Sequence, residues 1–164
     1  MNTPLPQHRA RDADGRLVGL VFDSAPPPAN AENAWLLAVD RSDHALRAAA
    51  AVLRLAQIAG REVALHLINV QPWLSREAAE HTLAQRALED TARVRALLAE
   101  SGAAWRLHVE MGEAAESILA AIERLRPQGA VLGRRGLNAA QSLLLGSVTQ
   151  KVLQHSPAPV LVVP

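Results

Sequence analysis

The chain contains no cysteine. That absence excludes a disulfide framework, a thiol nucleophile and a thiolate metal site. Aromatic side chains are almost as scarce: Phe22, Trp35, Trp73 and Trp105 are the full set, too few to stack the successive bases of a single-stranded nucleic acid. An excess of either charge is also missing. Seventeen basic residues face sixteen acidic ones for a net charge of +1, so no broad field favours DNA, RNA or anionic lipid, and no nucleic-acid partner is expected. Lys151 is the single lysine; in a chain otherwise basic through arginine, the pair Arg134-Arg135 is uninformative by itself. No apolar run approaches the roughly 20 residues of a membrane span. The opening Met1-Asn2-Thr3-Pro4-Leu5-Pro6 has neither a basic nor an apolar leader region, and a cytoplasmic protein without membrane attachment is expected. Two catalytic signatures are absent as well, the Gly-x-Ser-x-Gly elbow and the Gly-Lys-Ser/Thr phosphate loop. Without that lysine, fast phosphoryl transfer lacks a part. The six histidines (His8, His44, His66, His81, His108 and His155) show no helical i, i+4 pairing with a carboxylate, so no protein-held metal is expected.

What is present is apolar and periodic. Hydrophobic residues make up 49% of 164, enough for one domain with a sizeable core. Residues 1–33 differ from the rest, because Pro4, Pro6 and Pro26-Pro27-Pro28 interrupt regular structure. They read as an N-terminal extension, partly disordered, with a possible short strand at 17–22 after an Asp14-Gly15 turn, set on a sheet edge or against a partner; a merely tethered tail is the alternative. Residues 34–164 read as the domain itself. Trp35 to Asp40 is an apolar strand closed by a carboxylate, and Ser42 or Asp43 starts a helix that Gly60 ends. Val63 to Ile68 is a second strand, stopped by Pro72. A long helix runs from about Ser75 to Glu100. Trp105 to Glu110 alternates apolar with polar and is expected near a sheet edge with one wetter face. A third helix, about Glu113 to Arg126, ends at Pro127.

The segment from Ala130 onward organises the chain. Ala130-Val131-Leu132 is a short buried strand, Gly133-Arg134-Arg135-Gly136 follows at once, and after nine further residues come Gly146-Ser147-Val148-Thr149, where a helix begins. Pro159-Val160-Leu161-Val162-Val163 closes the chain as a β-branched strand. Gly133 and Gly136 allow close backbone approach and positive φ, and Gly146-Ser147 sits at a helix start. The arrangement reads as a phosphate cradle; an ordinary βα connection without ligand is the plainer alternative.

Five strands alternating with four helices imply a doubly wound, open five-stranded parallel sheet with helices on both faces, in the flavodoxin-like order 2-1-3-4-5 or a near variant. Ligands of such sheets bind outside the strand carboxyl ends where strand order reverses. That crevice is expected between the strand ending at Asp40 and the strand ending at Leu132. Asp40 reads as a turn residue, helix-terminal anion or hydrogen-bond acceptor in preference to a catalytic base. His66 and His108 read as strand residues satisfied by neighbours.

The spacing Gly-x2-Gly-x9-Gly-Ser from Gly133 to Ser147, together with Ala38-Val39-Asp40-Arg41-Ser42, Leu65-His66-Leu67, Gly112-Glu113-Ala114 and the Pro-Val-Leu-Val-Val ending, resembles the universal stress protein family over about residues 34–164. The resemblance implies an adenine-nucleotide α-hydrolase-like fold and binding of ATP, optionally with Mg2+. It also implies that Ala38, Val39 and Asp40 meet adenine and ribose and that Leu67 and Leu132 touch the base. Gly133, Gly136, Gly146, Ser147 and Val148 would hold ribose and phosphates, with Arg134 either beside the phosphates or solvated. It implies no catalytic residue, and pairing into a homodimer through the last strand, 159–163. Arg41 stands where the family often has glycine, which crowds the base side or adds a cation there. A cytoplasmic stress-response or regulatory protein, sensing ATP and signalling through an unknown protein partner, is the leading expectation. A slow ATPase or self-phosphorylating enzyme, with Ser147 or Thr149 as acceptor, is the second, and a family member acting only through protein contacts the third.

Overall fold

The computed structural model describes residues 4–28, 34–135 and 145–164. In chain order its elements are β1 (His8–Arg11), β2 (Leu17–Asp23), β3 (Trp35–Ala38), α1 (Asp43–Ile58), β4 (Leu65–Gln71), α2 (Arg76–Ser101), β5 (Trp105–Met111), α3 (Ala114–Leu125), β6 (Ala130–Gly133), α4 (Ser147–His155) and β7 (Val160–Val163). No helix among the described residues is long and apolar enough to cross a membrane.

Local chemistry sets most of these boundaries. Ser42 Oγ accepts from the Ala45 N–H at 3.1 Å and Ser75 Oγ from the Ala78 N–H at 3.1 Å. The Glu113 carboxylate accepts from the Glu116 N–H at 2.8 Å, so α1, α2 and α3 each begin with a side-chain cap. Gly102, at φ 72°, closes α2 in the left-handed conformation. Pro72 and Pro127 follow β4 and α3, neither able to supply the next backbone N–H.

The strands form one sheet in the order β1-β2-β5-β4-β3-β6-β7. This corrects the expectation of a five-stranded parallel sheet. β3 to β7 are parallel, but the N-terminal residues add an antiparallel hairpin, with β2 registered on β5 through Phe22↔Leu107, giving seven strands and a mixed sheet. Counted from β3, the parallel strands stand 3-2-1-4-5, not 2-1-3-4-5. The chain steps outward twice, β3 to β4 to β5, and only then does α3 return it to the other side of β3. Hydrophobic periodicity identifies a strand but is silent on which neighbour it takes.

Two apolar layers sandwich the sheet. Ala48, Ala49 and Val52 of α1 and Ala79, Leu83, Ala87 and Leu98 of α2 pack on Leu37, Leu67, Leu107 and Val131. On the other face Ile118 and Ile122 of α3 and Val152 of α4 pack on Leu36, Ile68, Ala130 and Leu132. The first layer extends beneath the hairpin, where Leu17, Leu20 and Phe22 are buried. β5 is therefore an interior strand, contrary to the edge position expected for it. Its alternating polar residues are paired: Arg106 with Asp23 at 2.7 Å and Glu110 with Arg124 at 2.6 Å. The hairpin is also tied to the start of α2, through Arg11 with Glu80, Arg76 with the Asp14 carbonyl, and Arg16 with the Leu74 carbonyl and the Trp73 ring, 5.4 Å away.

Candidate functional site at the strand-order reversal

Strand order reverses between β3 and β6, which are adjacent and parallel. Their following segments diverge, and a cleft of about 720 Å³ opens outside the carboxyl ends of the strands. This is the crevice expected between Asp40 and Leu132, although it arises from a different strand order.

Ala38, Val39 and Asp40 line one wall, Leu132 and Gly133 the next, and Gly146, Ser147 and Val148 the third. Leu67 is 0% exposed and lies in the core under α1 and α2; the residues that follow it on β4, Ile68 to Gln71, line the cleft in its place. Arg135, not Arg134, faces the cleft. Arg134 anchors by its backbone, its N–H donating to the Val163 carbonyl at 2.7 Å and its carbonyl accepting from Gly146 N–H at 3.0 Å, while its Nε is buried without a partner. Gly136, expected at the phosphates, lies outside the described residues.

Asp40 Oδ1 accepts from the Ser42 N–H at 2.9 Å, and Ser42 in turn caps α1, so the turn after β3 is fixed by side-chain acceptors. Gly133 does not take the positive φ expected of it. Its lack of a side chain answers to packing: a Cβ there would lie 2.6 Å from His44 Cβ and 2.7 Å from the His44 carbonyl carbon. Of the two hydroxyls proposed as acceptors, that of Thr149 is buried and donates to the Gly133 carbonyl at 2.9 Å, whereas Ser147 is exposed.

α4 begins with Gly146, which has no side chain to cap it, and Gly146 to Thr149 line the cleft, so the positive end of the helix dipole lies at the cleft wall. Nearby His44 is held below the ordinary histidine range by burial and then by Arg47, Arg134 and Arg135, a sign of positive potential at this end. At the opposite end Arg86, Glu89 and Asp90 of α2 line the wall. There Arg41 Nε contacts Asp90 Oδ1 at 2.8 Å, so the arginine that departs from the family pattern is paired and leans toward α2.

Sequence reasoning missed the α2 contribution and the polar end of β4. The missed signal is Asn69 and Gln71, two amides at alternate positions closing a strand otherwise apolar but for His66, both buried; buried polar groups demand partners.

The universal stress protein family model matches residues 35–164. The universal stress protein in the QAH/OAS sulfhydrylase 3′ region of Thermus aquaticus is 41% identical over 132 residues, covering 78% of this chain and 96% of the relative. Universal stress protein MJ0531 of Methanocaldococcus jannaschii is 30% identical over 146 residues, covering 82% and 85%. Among solved structures the fold is similar to that of the hypothetical protein MJ0577, with a TM-score of 0.69, 22% identity and coverage of 82% and 96%. It is similar to the Archaeoglobus fulgidus universal stress protein in complex with dAMP (0.62, 20%, 81% and 98%). It is also similar to an AMP-bound member of the family from Arabidopsis thaliana (0.59, 18%, 80% and 90%).

Proposed function

This chain belongs to the universal stress protein family, and on that premise we propose that its cleft binds an adenine nucleotide, ATP in particular, with the phosphates at the start of α4 and the base toward β4 and α2. One observation carries the reading: among the four described helices, α4 alone begins without a side-chain cap, and it does so at the cleft wall. Backbone donors left open at a helix N-terminus favour a bound anion. Family members holding dAMP and AMP support the nucleotide class. Ala38, Val39, Asp40 and Leu132 bound the base and ribose, and Gly133, Gly146, Ser147 and Val148 the phosphates; Mg2+ enters with the phosphates as their counterion. The protein acts as a regulatory module of the stress response, reporting nucleotide through its conformation to a partner, and works in the cytoplasm as a homodimer joined at β7.

Calorimetric titration of the purified chain with ATP and AMP tests the binding. Saturable heat is expected for both, tighter for ATP. No heat and no thermal shift at millimolar nucleotide would end the proposal. Product analysis after incubation with Mg-ATP then separates a sensor, which returns ATP intact, from an enzyme, which does not.

A further inference from the structure

We propose that Gln71 is the residue by which this cleft reads the base, selecting a 6-aminopurine over a 6-oxopurine. The inference deepens the nucleotide reading above and rests on it. Its premise is a chain of amides whose orientation is fixed from the backbone outward. Asn69 Nδ2 donates to the Val39 carbonyl at 2.9 Å, which leaves Asn69 Oδ1 as an acceptor. Gln71 Nε2 donates one hydrogen to that oxygen at 2.8 Å and the other to Asp90 Oδ2 at 2.7 Å. The Arg41 guanidinium on Asp90 Oδ1 keeps that carboxylate an acceptor. Both amide hydrogens of Gln71 are thus engaged. The amide cannot turn over without setting its oxygen against two acceptors.

Gln71 Oε1 is consequently an acceptor and nothing else. The side chain is 5% exposed and lines the cleft. Oε1 has no partner among the described residues, yet it is not one of the polar atoms sealed off without one, which are Arg16 Nε, His66 Nε2 and Arg134 Nε. A buried acceptor that reaches open cleft calls for a donor from a ligand. Phosphate is not that ligand, since its ionised oxygens only accept hydrogen bonds, as Oε1 does. The base end of the nucleotide meets it instead. Adenine presents a 6-amino donor; hypoxanthine and guanine present a 6-oxo acceptor, which against Oε1 leaves two lone pairs opposed and a buried group unpaired.

The test compares ATP with inosine triphosphate, which differ in the 6-substituent and in the hydrogen that hypoxanthine carries on N1, by calorimetry on the full chain. Wild type is expected to bind ATP about tenfold more tightly. In Gln71→Leu the ratio is expected to fall to within about twofold, through loss of ATP affinity, with melting temperature monitoring the fold. Asp90→Asn retains Gln71 but lets its amide invert, and should also reduce the ratio; it serves if Gln71→Leu does not fold. Equal wild-type affinity for the two triphosphates, or an unchanged ratio in the folded variants, overturns the assignment to Gln71 while nucleotide binding stands. Failure of either triphosphate to bind wild type overturns both readings.

Discussion

Nδ1 of His66 on β4 lies 3.0 Å from Nε2 of His108 on the neighbouring β5, and both rings are buried. One nitrogen must donate and the other accept, so at least one ring is neutral, and burial disfavours the charged form of both. Burial pushes both histidines down, His108 to about 3, with the neighbouring His66, Arg124 and Arg106 adding to the effect. The folded value therefore lies below the usual 6.5. The unfolded chain takes up protons first on acidification, so this contribution is complete above the unfolded value and is lost as pH falls from there toward the folded one. Between about pH 7.5 and about pH 5 one such histidine removes about 2 kcal/mol of stability. Urea midpoints across that range should fall for wild type and flatten in His66→Leu/His108→Leu. A wild-type midpoint constant over the range would sink this account.

Gly133→Ala is expected to cost about 1–3 kcal/mol of stability without any nucleotide present, because the new methyl would press on the His44 backbone where β6 meets α1. Melting of the unliganded variant is the measurement. A loss confined to ligand affinity would mean that the close approach serves the ligand and not the packing.

The parallel core was legible because its strands are short apolar runs and its helices carry caps and stops: Ser42, Ser75, Gly102 and Pro127 mark ends that the structure places at or within a residue of expectation. Strand order was not legible, since nothing local in β5 says whether it joins β4 or β3. Nor was the depth of Leu67: β4 runs on to Gln71, and only its last residues, of both pleats, reach the cleft, which leaves Leu67 inside the core. Of the hairpin, the strand at 17–22 was legible and is β2; its partner β1 and its place beside β5 were obscured by prolines and polar flanks, although Leu17, Leu20 and Phe22 needed a core to enter. The unusually long α2 supplies that core by reaching past β5 to β2.

Phe22 makes the hairpin testable. It is 1% exposed within a stretch whose composition reads as a tail, and Phe22→Ala should destabilise the whole domain by about 3–5 kcal/mol in denaturant titrations. A tethered tail predicts no change in midpoint.

β7 pairs with β6 on one side only and stands at the end of the sheet. Its four residues are all half-buried. An apolar edge of this kind is expected to pair with a second copy, so sedimentation at micromolar concentration should give a dimer and Val162→Lys a monomer. A monomeric wild type, or a dimer indifferent to the lysine, removes β7 as the joint.

The start of α4 offers the sharpest separation of ligand from fold. Ser147 occupies the first helical position, where a backbone N–H has no intrahelical partner, and the preceding Gly146 sits at φ −62° and ψ 150°, the conformation that a following proline imposes. Ser147→Pro therefore deletes one N–H from the cleft wall while preserving the helix start. Ser147→Ala deletes only the hydroxyl. If the phosphates rest on these amides, the proline variant should lose roughly 1.5–3 kcal/mol of ATP affinity, the worth of a charge-assisted bond, at an unchanged melting temperature, and the alanine variant should lose less. AMP should feel the substitution less than ATP. Undiminished ATP binding by a folded Ser147→Pro would move the phosphates away from α4.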